Sequence, residues 1–126
     1  MINESNESVP PLIDTNALNE LQSIMEEEFA EVLQVFLDES VTLMSEIHAG
    51  FEEQADNLTR SVHTLKSCSK NVGAMRLGSI AEKMETHLLK EDVAASKAYL
   101  EDLQEVFAQS HALIKEFMQG KIDQVA

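Results

Sequence analysis

This sequence predicts an all-α fold, an antiparallel four-helix bundle with a short additional N-terminal helix. Apolar residues recur every three or four positions through most of the 126 residues, which is the period of one face of an α-helix, and no segment alternates apolar with polar as a strand would. Only four glycines and two prolines interrupt the chain, a composition that favours helices. Tryptophan is absent and aromatics make up 5%, so Leu, Ile, Val, Met and Ala must fill the core with the help of a few Phe.

Residues 1–12 are polar and end in Pro10 and Pro11, which cannot continue a helix backwards, so they read as a flexible leader. Asp14, Thr15 or Asn16 can cap a helix that starts here, each offering a side-chain oxygen to unpaired backbone N–H groups. Leu18, Leu21 and Ile24 then make the apolar face of a small accessory helix that should cover one end of the bundle. From Glu26 a long helix is predicted, with Phe29, Leu33, Phe36, Ser40, Met44, Ile47 and Phe51 inward. Its first turn carries Glu26, Glu27 and Glu28, where carboxylates oppose the positive end of the helix dipole. Gly50 and the polar run after it mark the break.

A second long helix spans about residues 56–72, with Leu58, Val62, Leu65, Ser69 and Val72 inward. Asn71 and Gly73 end it, glycine accepting the left-handed backbone that closes a helix. A third runs from Ala74 to about Leu89, with Leu77, Ile80 or Ala81, Met84 and Leu88 inward. Asp92 can cap a fourth, whose stripe is Leu100, Leu103, Phe107, Ser110, Ile114 and Phe117 and whose end is Gly120. Four such helices on short connections pack most economically antiparallel, at crossings of roughly 20°. The domain is therefore residues 13–119, with residues 120–126 as a tail. A chain of this length can stabilise one hydrophobic core without splitting into two.

Acids outnumber bases 23 to 9, for a formal net charge of -14, and this excess repels phosphate backbones and anionic lipid heads. Neither nucleic acid nor a membrane surface is expected as a partner. Cys68 is the single cysteine, the N-terminus lacks a secretory signal and no segment reaches transmembrane length, so a cytoplasmic protein is expected.

One window departs from this acidity. From Asn57 to Ala81 there is no Asp or Glu, although at 23 acids in 126 residues about four or five would fall there. Inside it lie His63, Arg60, Lys66, Lys70 and Arg76. Lys66, Ser67 and Lys70 stand three, four and seven residues after His63 and share its face, away from the Leu58, Val62 and Leu65 stripe. His63 should be at least partly exposed. A neutral imidazole is a nucleophile available at cellular pH, and a lysine one turn away can neutralise the oxygens of an incoming phosphoryl group. A carboxylate there would repel that anion, whereas a weakly positive patch on a negative surface selects where an acidic partner docks.

The stretch "HTLKSCSKNVGAMRLGSIAEKME", residues 63–85, resembles the signature of histidine-containing phosphotransfer (HPt) domains. The matching pattern is His63, Lys66 three on, a small residue at Ser67, Gly73 ten on, Leu77 and an acid at Glu85. The likeness extends from about Asp14 to Phe117, since "FAEVLQVFLDES" and the bundle layout also fit. It implies that His63 is the phosphoacceptor, that Lys66 assists transfer electrostatically and that Glu85 holds the imidazole through its non-reacting nitrogen. Ser67 departs from the glycine usual after the lysine, which bears on partner selectivity. Arg60, Ser67, Lys70, Gly73 and Arg76 are candidates for contacting a partner, with Met75, Leu77, Gly78 or Ile80 supplying an apolar patch.

The resemblance implies a phosphocarrier that moves a phosphoryl group between the aspartate of a hybrid sensor histidine kinase's receiver domain and that of a response regulator's receiver domain. No glycine-rich phosphate loop is present to bind ATP, so the phosphoryl group must come from elsewhere. The chain is expected to be a monomer and to need no cofactor, any Mg²⁺ residing on the receiver. His48, His87 and His111 lack the Lys, small-residue and Gly context of His63 and are expected to be surface or boundary histidines. A di-iron bundle would need Glu-x-x-His pairs, which do not occur. A non-catalytic interaction or scaffold bundle accounts for the helices but leaves the acid-free window unexplained.

Overall fold

The computed structural model describes residues 9–53 and 55–120. The first eight residues of the expected leader and residues 121–126 of the expected tail lie outside that range. Among the described residues there are six α-helices and no strand. They are α1 (Thr15–Met25), α2 (Phe29–Glu53), α3 (Leu58–Asn71), α4 (Met75–Leu89), α5 (Val93–Lys97) and α6 (Leu100–Met118). The four long ones, α2, α3, α4 and α6, close a ring in which α3 lies between α2 and α4, and α6 packs against both α2 and α4.

The predicted stripes face the centre of this ring. Leu33, Ile47, Val62, Leu65, Leu77, Ala81, Leu103 and Ile114 are fully buried. Small shifts of register occur, with Leu43 buried where Met44 was expected inward and Val106 taking the interior beside a half-buried Phe107. Ser40, Ser69 and Ser110 stand on the stripes as expected and are fully buried. The Ser40 hydroxyl donates to the Leu37 carbonyl.

Asp14 is the residue that caps α1, accepting from the N–H groups of Asn16 and Ala17 at 3.1 and 3.2 Å. Leu18 anchors this helix in the core, while Ile24, expected on its apolar face, is 70% exposed. Ile24 falls on the outer side of the last turn of α1, and Met25 is half-buried instead. Glu26–Glu28 form a 3₁₀ turn rather than the first turn of α2, because Glu26 leaves the helical region at φ 51° as it closes α1. Beyond that turn Phe29 meets Phe117 edge to face, 5.8 Å between ring centres. The accessory helix therefore crosses the end of the bundle, from the α3–α4 corner to the start of α2.

The end of the leader is tied down where it is described. The carbonyl of Pro10 accepts from Arg76 Nε at 3.0 Å, Leu12 packs on the core and Ile13 is buried. The fourth predicted helix is divided. Asp92 caps α5 through Ala95 N–H, but the chain turns at Ala98 and Tyr99 before α6 begins. Ser96 explains the interruption: it is fully buried and its hydroxyl donates to the Met84 carbonyl, pinning α5 to α4 before the chain swings round toward α2.

Candidate functional site

The α3–α4 corner sets the site's geometry. Gly73 sits at φ 84°, in the left-handed region. Ala74 N–H reaches back to the Ser69 carbonyl and Gly73 N–H to that of Lys70, at 2.8 and 3.2 Å, the paired bonds that close a helix around a left-handed glycine. The Gly73 carbonyl also accepts the Asp14 N–H at 2.7 Å, and a Cβ on this residue would lie 3.0 Å from the Asp14 carbonyl oxygen. It is buried under α1, so Gly73, expected among the partner contacts, shapes the corner and offers no surface. Leu77 and Gly78 are likewise interior, leaving Met75 and Ile80 half-buried from the expected apolar patch.

The tight reversal lays α4 directly along α3. His63 projects from α3 with 54% of its side chain open to solvent, and its Nδ1 lies 2.7 Å from Glu85 Oε2 on α4. Lys66 Nζ meets the other oxygen of the same carboxylate, also at 2.7 Å. Only 13% of the Glu85 side chain and 23% of the Lys66 side chain are exposed. Burial works to raise the Glu85 carboxyl, but hydrogen bonds from Lys66 and His63, together with their charges, outweigh it and hold the group below the usual carboxylate range. At neutral pH Glu85 is thus ionised and can only accept, so the proton of this bond sits on His63 Nδ1. Nε2, on the opposite edge of the ring, has no hydrogen-bond partner among the described residues.

Acid-free in sequence is therefore not acid-free in space. The packing of α4 on α3 brings Glu82 and Glu85 to the window, and each meets a lysine there. Lys70 Nζ lies 2.7 Å from Glu82 Oε1, and the hydrogen bond from Lys70, with its charge, holds the Glu82 carboxyl low. The approach of Glu82 depends on the register between two helices, which no spacing within one helix reveals.

The remaining candidates are scattered. Arg60, one turn before His63, is exposed and forms no ion pair among the described residues. Ser67 is exposed one turn after His63. Arg76 is half-buried and committed to Pro10. Cys68 is half-buried with its thiol pushed up by burial, as fits a packing residue. Of the other histidines, His48 is exposed, His87 stacks on Tyr99 and His111 contacts the Leu37 carbonyl and the Phe107 ring. Among the described residues no group of three or more His, Cys, Asp or Glu side chains is arranged to hold a metal, and no helix is long and apolar enough to cross a membrane.

A family model for the Hpt domain matches residues 31–116. The chain belongs to the Hpt domain family. Its fold agrees with the crystal structure of histidine-containing phosphotransfer protein B (HptB) from Pseudomonas aeruginosa PAO1, with a TM-score of 0.81 and 26% sequence identity over 86% of this chain and 96% of that one. A search of curated proteins found no significant match. This Hpt domain is accordingly a histidine phosphotransfer protein of a phosphorelay, and the inert-scaffold alternative is not favoured.

Proposed function

We propose that His63 is the phosphoacceptor and that it shuttles a phosphoryl group between receiver aspartates. The observation that carries this reading is the Nδ1 contact to Glu85 on a ring that is half exposed. With its proton held on Nδ1, a neutral ring directs the Nε2 lone pair outward. That lone pair attacks the phosphorus of an aspartyl phosphate on the incoming receiver. An N–P bond forms, the acyl P–O bond breaks and the aspartate leaves as a carboxylate. The ring becomes cationic as the bond forms, and the Glu85 carboxylate beside Nδ1 compensates that charge. The second receiver reverses the step: its aspartate attacks the phosphorus and the imidazole leaves. No proton has to move in either direction.

Lys66 has two roles in this scheme. Its ammonium balances Glu85, so the carboxylate orients the ring without leaving a net negative charge in the path of the phosphoryl group. Its position one turn from His63 also places a cation near the transferred oxygens. Transfer of this kind rests on alignment and charge neutralisation, so one nucleophile and one cation suffice if the receiver brings Mg²⁺ and the acceptor carboxylate. The protein is on this account a carrier with no kinase chemistry of its own, serving the receiver domain of a hybrid sensor histidine kinase and that of a response regulator as a cytoplasmic monomer. Arg60 and Ser67, exposed on either side of His63, belong to the docking face.

Incubation with a phosphorylated receiver tests the assignment. Wild type should acquire acid-labile, base-stable label, and His63→Gln should acquire none. Label on the His63→Gln protein would overturn it.

A further inference from the structure

Glu82 stands one turn before Glu85 on α4 and has no part in holding the imidazole. Its side chain is 54% exposed, so a bare carboxylate here would put a solvent-facing anion at the edge of the face that presents His63. Lys70 covers it from α3 at 2.7 Å, and the route by which Lys70 reaches it is built into the packing. The lysine stem runs across Gly78, where an added Cβ would stand 2.7 Å from Lys70 Cγ, 3.3 Å from its Cε and 3.4 Å from the Lys66 carbonyl oxygen. Gly78 lies inside α4 with no positive φ, so backbone freedom does not call for glycine there, and glycine weakens a helix interior relative to alanine. Space for the Lys70 stem does call for it. Both members of the pair are substantially exposed, at 40% and 54%, and such pairs add little to stability.

We propose that Lys70 is a charge cover for receiver docking, seated by Gly78, which cancels Glu82 at the rim of the docking face. This deepens the phosphotransfer reading and rests on it. A receiver approaches with an anionic aspartyl phosphate, and this chain already carries a net charge of -14. Close approach of an anionic phosphoryl group to an acidic protein needs a local patch without uncompensated anions. Pairing supplies it: Lys66 answers Glu85 and Lys70 answers Glu82.

The test measures phosphoryl transfer from one phosphorylated receiver as its concentration is varied, at low and high salt. Lys70→Gln should raise the half-saturating receiver concentration about two- to fivefold at low salt, the size expected of one added charge near a solvated interface. The difference should shrink at high salt as screening tightens. Adding Glu82→Gln to Lys70→Gln should restore the wild-type value, which separates uncovering Glu82 from losing a direct Lys70 contact. Gly78→Ala should reproduce Lys70→Gln and be rescued in the same way; should it not fold, the Lys70→Gln pair of variants decides alone. An unchanged half-saturation in Lys70→Gln, or no rescue by Glu82→Gln, would overturn the proposal. All variants retain His63, so absence of label on every protein, wild type included, would instead count against the phosphotransfer reading.

Discussion

Replacing Glu85 by alanine removes the group that fixes both the direction of the His63 ring and the place of its proton. The carboxylate makes two contacts of 2.7 Å, to His63 Nδ1 and to Lys66 Nζ. Hydrogen bonds involving charged groups contribute about 1.5–3 kcal/mol, a range that must be reduced here because the imidazole is more than half exposed. About 1–2 kcal/mol of orientation remains, and at about 1.4 kcal/mol per factor of ten the maximal transfer rate should fall roughly five- to thirtyfold. Glu85→Gln keeps a neutral acceptor of about half the strength and should lose only about two- to fivefold. The measurement is single-turnover transfer from a phosphorylated receiver across a concentration series, so that maximal rate and half-saturation separate. The loss should fall on the rate. Nitrogen NMR of the imidazole should report the Nδ1-protonated tautomer in wild type and a mixture in Glu85→Ala. Because the alanine variant also frees Lys66, the comparison is repeated in a Lys66→Met background, where the loss should persist. A Glu85→Ala rate within twofold of wild type, with the tautomer unchanged, would refute the reasoning.

Two of the positive-φ helix ends, at Gly73 and Glu91, make opposite predictions. Gly73→Ala places a Cβ at φ 84°, 3.0 Å from the Asp14 carbonyl oxygen, and should cost about 1–3 kcal/mol of stability, read from urea melts monitored by circular dichroism. Glu91 closes α4 through the same pair of backbone bonds, with Asp92 N–H to His87 and Glu91 N–H to Leu88, but at φ 61° without being glycine; Glu91→Gly should gain about 0.5–1 kcal/mol in the same assay. Acid should erase the Glu85 contribution. Its folded value lies below the ordinary 4.5, so the stabilisation is present above about pH 4.5 and is lost as pH falls through the lower folded value. The stability gap between wild type and Glu85→Gln should accordingly be wide at pH 7 and narrow progressively below pH 4.5, and a gap independent of pH would contradict the pairing.

How far the chain alone discloses its fold and site depends on the range of the forces concerned. Caps and the stop at Gly73 involve neighbours within a few positions, so residue type points to Asp92 and Gly73 and narrows the first cap to Asp14, Thr15 or Asn16, among which the structure selects Asp14. The interior stripes are legible because burial repeats with the helical period, and even the buried serines 40, 69 and 110 fall on them. The break at Ala98 and Tyr99 is hidden, since it depends on Ser96 finding a carbonyl on another helix. The 3₁₀ turn at Glu26–Glu28 is hidden as well, because the acids that suit a helix start equally suit a solvated turn. His63 and Lys66 stand out as candidates from the missing acids and, with Glu85, from the resemblance carried by residues 63–85. The pairing of Glu82 with Lys70, and the reason for Gly78, are not, because they are set by how two helices lie against each other.

Among the described residues, the side chains bonded to the imidazole and to its carboxylate lie between residues 63 and 85, on two helices joined by one glycine corner. The pairing of His63 with Glu85 spans only 22 positions of chain, and contacts so close in sequence require little loop closure to form. The reactive geometry should assemble early as the protein folds, ahead of the docking of α1 and α6. Loosening of α1 or α6 should then leave the His63 ring aimed as before.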